Sequence, residues 1–91
     1  MKLAIEEYAQ RRAYTYYMVL DSVSLERVGE ITYFPCDEIT GYPKAKAWIY
    51  KEGYRSLVGT FAGEGCKEKA LESIEDILSK PPILPKDKPP L

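Results

Sequence analysis

Histidine is absent from the sequence. With it goes the imidazole base, so Cys–His and Ser–His catalytic arrangements are excluded within one chain. No glycine-rich phosphate loop with its lysine is present either. The neighbouring carboxylates Glu6/Glu7 and Asp37/Glu38 are of a kind common on solvated surfaces. Asp37 and Glu38 with Glu30 supply oxygen ligands for a hard cation, but nothing in their spacing fixes a geometry. The two cysteines, Cys36 and Cys66, make no disulfide framework, and two thiols alone cannot complete a zinc site. Both are expected as packing residues. The expectation is a protein that binds rather than catalyses, with no cofactor and no metal.

Long apolar runs are also missing. None approaches the roughly 20 residues that span a bilayer. The N-terminus meets charge at Lys2, Glu6 and Glu7, too early for a secretory signal. A cytoplasmic protein without a membrane partner is expected. Asparagine is absent and Gln10 is the only glutamine, a shortage of labile amides frequent in thermophilic proteins.

What the chain does have is 91 residues with 45% hydrophobic side chains, enough for one modest core. Residues 1–80 read as a single α+β domain. Residues 81–91 hold five of the seven prolines and read as a flexible tail favouring polyproline II. Residues 2–12 read as a helix, because Ile5, Tyr8, Ala9 and the stem of Arg12 fall on one face at helical spacing. Glu6 and Glu7 near its start and Arg11 and Arg12 near its end suit the helix dipole.

Tyr14 to Leu20 is bulky and β-branched and reads as a strand. Residues 21–24 either turn or continue it. Arg27 to Phe34 is a second strand, weakened by Gly29 and stopped by Pro35. Residues 35–43 read as a loop. Lys44 to Lys51 alternates cleanly, Glu52-Gly53 supplies a tight turn, and Tyr54 to Ala62 is the hairpin partner. Cys66 to Ser79 is an amphipathic helix with Ala70, Leu71, Ile74, Ile77 and Leu78 as its apolar stripe. The expected fold is α+β: an antiparallel three- or four-stranded sheet between an N-terminal and a C-terminal helix, in the order α-β-β-β(-β)-α.

The net charge of −1 conceals a segregation. Residues 21–40 carry −4, whereas residues 42–62 carry +3. The strand 44–51 points Ala45, Ala47 and Ile49 one way and Lys44, Lys46, Trp48 and Tyr50 the other. Two readings of the second side are open. Lysines interleaved with aromatics suit phosphates and stacked bases. Alternatively Trp48 and Tyr50 are core, and the lysines guard a strand edge. The small side chains of Ala45 and Ala47 suit a closely packed helix, which would leave Trp48 on the open side.

Several segments resemble the double-stranded-RNA-binding domain family. Ile5-Glu6-Glu7-Tyr8-Ala9-Gln10-Arg11-Arg12 is similar to its opening helix. Tyr42-Pro43-Lys44-Ala45-Lys46-Ala47-Trp48-Ile49 sits where the family has a proline and its second strand. Gly59-Thr60-Phe61-Ala62-Gly63-Glu64-Gly65-Cys66-Lys67-Glu68-Lys69-Ala70 resembles its third strand and the start of its last helix. The resemblance implies duplex RNA binding through Glu7, Gln10 and Arg11 of the first helix, Lys44, Lys46 and Trp48 of the hairpin, and Lys67 and Lys69 of the last helix. Departures accompany it: Glu68 and Leu71 stand where the family's phosphate-gripping helix has lysines. Some members of the family use the domain for protein contact or dimerisation. The stretch Lys67 to Leu78 also resembles the helix of HicB-type antitoxins, a family that begins with a strand.

Three partner classes follow as expectations: nucleic acid at the basic hairpin; a protein partner or second copy at an aromatic-rich sheet edge such as Tyr14–Leu20; and an aromatic groove taking the PxxP spacing of Pro82-Ile83-Leu84-Pro85.

Overall fold

A computed structural model describes residues 2–79. The described residues form five strands and then one helix: β1 (Leu3–Gln10), β2 (Thr15–Asp21), β3 (Arg27–Phe34), β4 (Lys44–Lys51), β5 (Tyr54–Ala62) and α1 (Cys66–Ser79). The strands form a single antiparallel meander in the order β1-β2-β3-β4-β5. The α+β class and the C-terminal helix agree with the expectation. The N-terminal helix and the three- or four-strand count do not. The proposed domain limit at residue 80 and the tail 81–91, with its PxxP spacing, lie outside the described residues.

The first element is a strand because the same letters also satisfy a period of two. Leu3, Ile5 and Glu7 fall on one side, Ala4, Glu6 and Tyr8 on the other. A stretch this short is marginal as an isolated helix, since about 12–15 residues are needed even for good helix formers. Pairing decides the matter. Ile5 lies opposite Val19, and Leu3 opposite Asp21, so β1 fills the hydrogen-bonding edge that the bulky β2 would leave open. A bulge between Glu7 and Ala9 shifts the register at Tyr8.

Two of the turns show their chemistry directly. The Asp21 carboxylate accepts the amides of Val23 (2.8 Å) and Ser24 (3.2 Å), an Asx turn that ends β2 and leads to Leu25 at φ 64°. Between β4 and β5, Glu52 and Gly53 have φ values of 51° and 83°, as a two-residue type I′ hairpin needs. That turn sets Tyr50 opposite Arg55.

The helix packs on β3, β4 and β5. Its buried stripe is Cys66, Ala70 and Ile74, one residue per turn at i, i+4 and i+8. Against it lie Val19, Ile31, Ala45 and Ala47, all fully buried. The two alanines have no bulk beyond Cβ, which lets the helix approach the middle of the sheet. Leu3, Ile5, Tyr17, Tyr33, Ile49, Val58 and Phe61 flank this core. The other side of the sheet carries no helix among the described residues. No helix there is long and apolar enough to cross a membrane.

Candidate functional site

The uncovered side of the sheet holds the most organised polar chemistry in the molecule. Strand alternation and the observed register place Glu6, Tyr8, Tyr16, Met18, Glu30, Thr32, Phe34, Lys44, Lys46, Trp48, Tyr50 and Arg55 on it. At its centre is Glu30, only 4% exposed although no helix covers it. Its neighbours do the covering. The Arg55 guanidinium donates to one carboxylate oxygen at 2.7 Å, and the Tyr50 hydroxyl donates to the other at 2.8 Å. Arg27 in turn donates to the Tyr50 oxygen at 2.8 Å. A buried carboxylate is tolerated when its lone pairs are filled in this way.

The same cations lie over aromatic rings. The Arg55 guanidinium is 3.9 Å from the Trp48 ring centroid. Arg27 lies between two rings, 5.5 Å from Tyr8 and 5.3 Å from Tyr50. Lys44 and Lys46 approach Phe34 at 5.0 and 5.9 Å. The rings continue outward: Tyr8 stacks on Tyr16 at 5.7 Å, Tyr16 meets Tyr14 edge-on at 5.1 Å, and Tyr14 meets Phe34 at 5.4 Å. The Trp48 indole N–H donates to the buried Thr32 hydroxyl at 3.2 Å, which fixes the ring. Such cation–ring pairs are worth about 0.5–2 kcal/mol each, depending on how dry they are.

Electrostatics follow from this packing. Burial, then the hydrogen bond to Glu30 and its charge, push the Tyr50 phenol above its ordinary range. Burial and next the Glu30 charge do the same for Tyr8. Both rings therefore stay neutral hydrogen-bonding groups at physiological pH. At the end of the face, Lys44 pairs with Asp37 at 3.5 Å. Desolvation opposes the Asp37 charge, but the Thr40 hydroxyl and the Lys44 ammonium outweigh it and hold this carboxyl below the usual value.

The residues expected at the site divide between two sides. Lys44, Lys46 and Trp48 come together on the open face. Lys67 and Lys69 sit on α1 in the other layer, and Lys67 lies over Tyr17 at 4.7 Å and Tyr33 at 5.5 Å. Glu7 and Gln10 belong to β1, not to a helix, and Arg11 follows in the β1–β2 turn, its amide bonded to the Tyr14 carbonyl. Glu7 is opposite Tyr17, which turns it toward the helix side. The hairpin and the helix start therefore do not form one continuous basic surface. The proposed interaction edge Tyr14–Leu20 is also occupied: β2 is paired on both sides, by β1 and β3.

Sequence reading missed Arg27, Glu30, Arg55, Tyr8 and Phe34 as members of this face. A signal for one of them was present. A two-residue turn at Glu52-Gly53 fixes the hairpin register and so places Arg55 beside Tyr50. Of the two cysteines, Cys66 packs in the core as expected, whereas Cys36 is exposed; both are free thiols. Asp37 and Glu30 are committed to Lys44 and Arg55. Among the described residues no group of three or more potential ligands gathers for a metal.

An antiparallel meander with one helix on one side and an aromatic, cation-bearing surface on the other is a class of architecture, and the comparisons take it no further. The sequence matches no family model, and no curated protein or solved structure matches it.

Proposed function

We propose that this chain is a small non-catalytic binding module whose partner is nucleic acid, held on the open face of the sheet. One observation carries the reading: four cations, Arg27, Lys44, Lys46 and Arg55, each lie over an aromatic ring on the side of the sheet that α1 leaves free. Phosphates are attracted by the cations, and rings offer stacking surfaces to bases and sugars. Two carboxylates of the acidic segment 21–40 reach this face and both are engaged, Glu30 by Arg55 and Tyr50 and Asp37 by Lys44.

The resemblance to double-stranded-RNA-binding domains points toward nucleic acid through its Lys44–Trp48 strand alone, because the segment matched to that family's opening helix is strand β1. Its duplex version asks for the hairpin and the helix start to act together, which the positions of Lys67 and Lys69 do not favour. A second reading is a protein-interaction module that binds no nucleic acid. The strand-first order favours it to a degree, since HicB-type antitoxins also begin with a strand. The test is fluorescence anisotropy of labelled RNA and DNA titrated with the full chain at low salt. Binding that weakens with salt is expected. Absence of binding to any nucleic acid at low salt would transfer the open face to a protein partner.

A further inference from the structure

The open face also carries information about which form of nucleic acid it takes, an inference that rests on the nucleic-acid reading above. We infer that the face is built for a single strand and discriminates against duplex. Two observations converge.

The first is the pairing of charge with rings. A duplex offers phosphates but hides the faces of its bases within the stack, so Trp48, Tyr50 and Phe34 would find nothing to stack on. An unpaired strand offers both at once. The second is shape. Duplex readers insert a helix, ribbon or loop into a groove, or bridge two successive grooves with separated contacts. Here the cations occupy one patch on β3, β4 and β5. The lysines of α1 that would make a second contact lie in the other layer, with Lys67 over Tyr17 and Tyr33.

The strand would run along β4, with Lys44 and Lys46 on phosphates and bases on Trp48 and Tyr50.

Pre-organisation gives the face its selectivity. Glu30 holds Arg55 at 2.7 Å and accepts from Tyr50, so the two guanidinium–ring pairs are set before any ligand arrives. The Trp48 indole is held in the same way, its N–H donating to the Thr32 hydroxyl at 3.2 Å.

The experiment compares one mixed-sequence RNA of about 12 nucleotides as a single strand with the same sequence annealed to its complement. Anisotropy and quenching of Trp48, the only tryptophan, are read together. The single strand is expected to bind at least tenfold more tightly and to quench the indole. Trp48→Leu should cost the single strand about tenfold and leave duplex binding unchanged, while Trp48→Phe, which keeps a ring, should retain most of the affinity. Duplex binding as tight as single-strand binding, or single-strand binding indifferent to both Trp48 variants in folded protein, would overturn this inference and leave nucleic-acid binding standing. Failure of both forms to bind would instead remove the reading beneath it.

Discussion

Glu30 is where burial, charge and the open face meet. A residue of this type is seldom so enclosed unless its oxygens are filled. Removing it as Glu30→Ala leaves the Arg55 guanidinium and Tyr50 hydroxyl without their acceptor. Arg55 remains in partial contact with water, so the cost is smaller than for a fully buried pair, about 1–3 kcal/mol. Urea denaturation would measure it, and a loss under about 0.5 kcal/mol would show the network to be ornamental. Opposite Glu30 stands Trp48, and one residue earlier Gly29 has a different reason for its identity. A Cβ built there collides with the Trp48 carbonyl oxygen. Gly29→Ala is therefore expected to destabilise by about 1–3 kcal/mol by forcing β3 from β4. A neutral result in the same unfolding assay would contradict that close approach. The two thiols give a third check. Burial raises the Cys66 thiol above its ordinary value and withholds it from reagents, while Cys36 is exposed. One thiol should react with Ellman's reagent in native protein and the second only on unfolding; two fast thiols would place Cys66 outside the core.

Most elements are legible from their own letters, and the exception has a physical reason. The alternation in Lys44–Lys51, the turn pair Glu52-Gly53 and the stripe in Cys66–Ser79 are strong local signals that agree with the final packing. β1 is ambiguous because Ile5, Tyr8 and Ala9 satisfy a helical face while Leu3 and Ile5 satisfy a strand face. Only the unfilled edge of β2, a long-range fact, chooses between them. The candidate face was half legible for the same reason. Lys44, Lys46 and Trp48 come from one strand, but Arg27, Glu30 and Arg55 join them only through cross-strand register. At this scale α1 is the element on which the domain depends. Ile74, fully buried in the stripe, meets the alanine-lined centre of the sheet. Ile74→Ala should cost about 2–5 kcal/mol through lost burial and the cavity left behind. In a domain of this size that is a large share of total stability, and a lowered melting temperature by circular dichroism would record it.

For the whole molecule the question is whether a chain of net charge −1 can hold an anionic polymer at all. Its two layers answer differently. The open face gathers Arg27, Lys44, Lys46 and Arg55 against Glu6 and Glu30, while the outward side of α1 carries Glu68, Glu72, Glu75 and Asp76 beside its lysines. Net charge governs repulsion at long range, but at about 0.15 M salt a field fades within roughly 8 Å, less than the thickness of a sheet and a helix. A bound strand therefore feels the face it touches. The strength of that contact can be counted. Arg55 is offset by Glu30 and Lys44 by Asp37, whereas neither Arg27 nor Lys46 is in an ion pair among the described residues. Between two and four phosphates are then neutralised. For a single strand each contributes about −0.7 to the slope of log affinity against log salt, giving a slope between about −1.4 and −2.8. Raising salt from about 50 to about 200 mM should weaken binding by about 7- to 50-fold. Lys46→Ala should make the slope shallower by about 0.7, whereas Lys67→Ala with Lys69→Ala should leave it unchanged, since those lysines belong to the other layer. If instead the α1 variant flattened the slope and Lys46→Ala did not, the nucleic acid would lie across the helix, and the open face would be free for another partner.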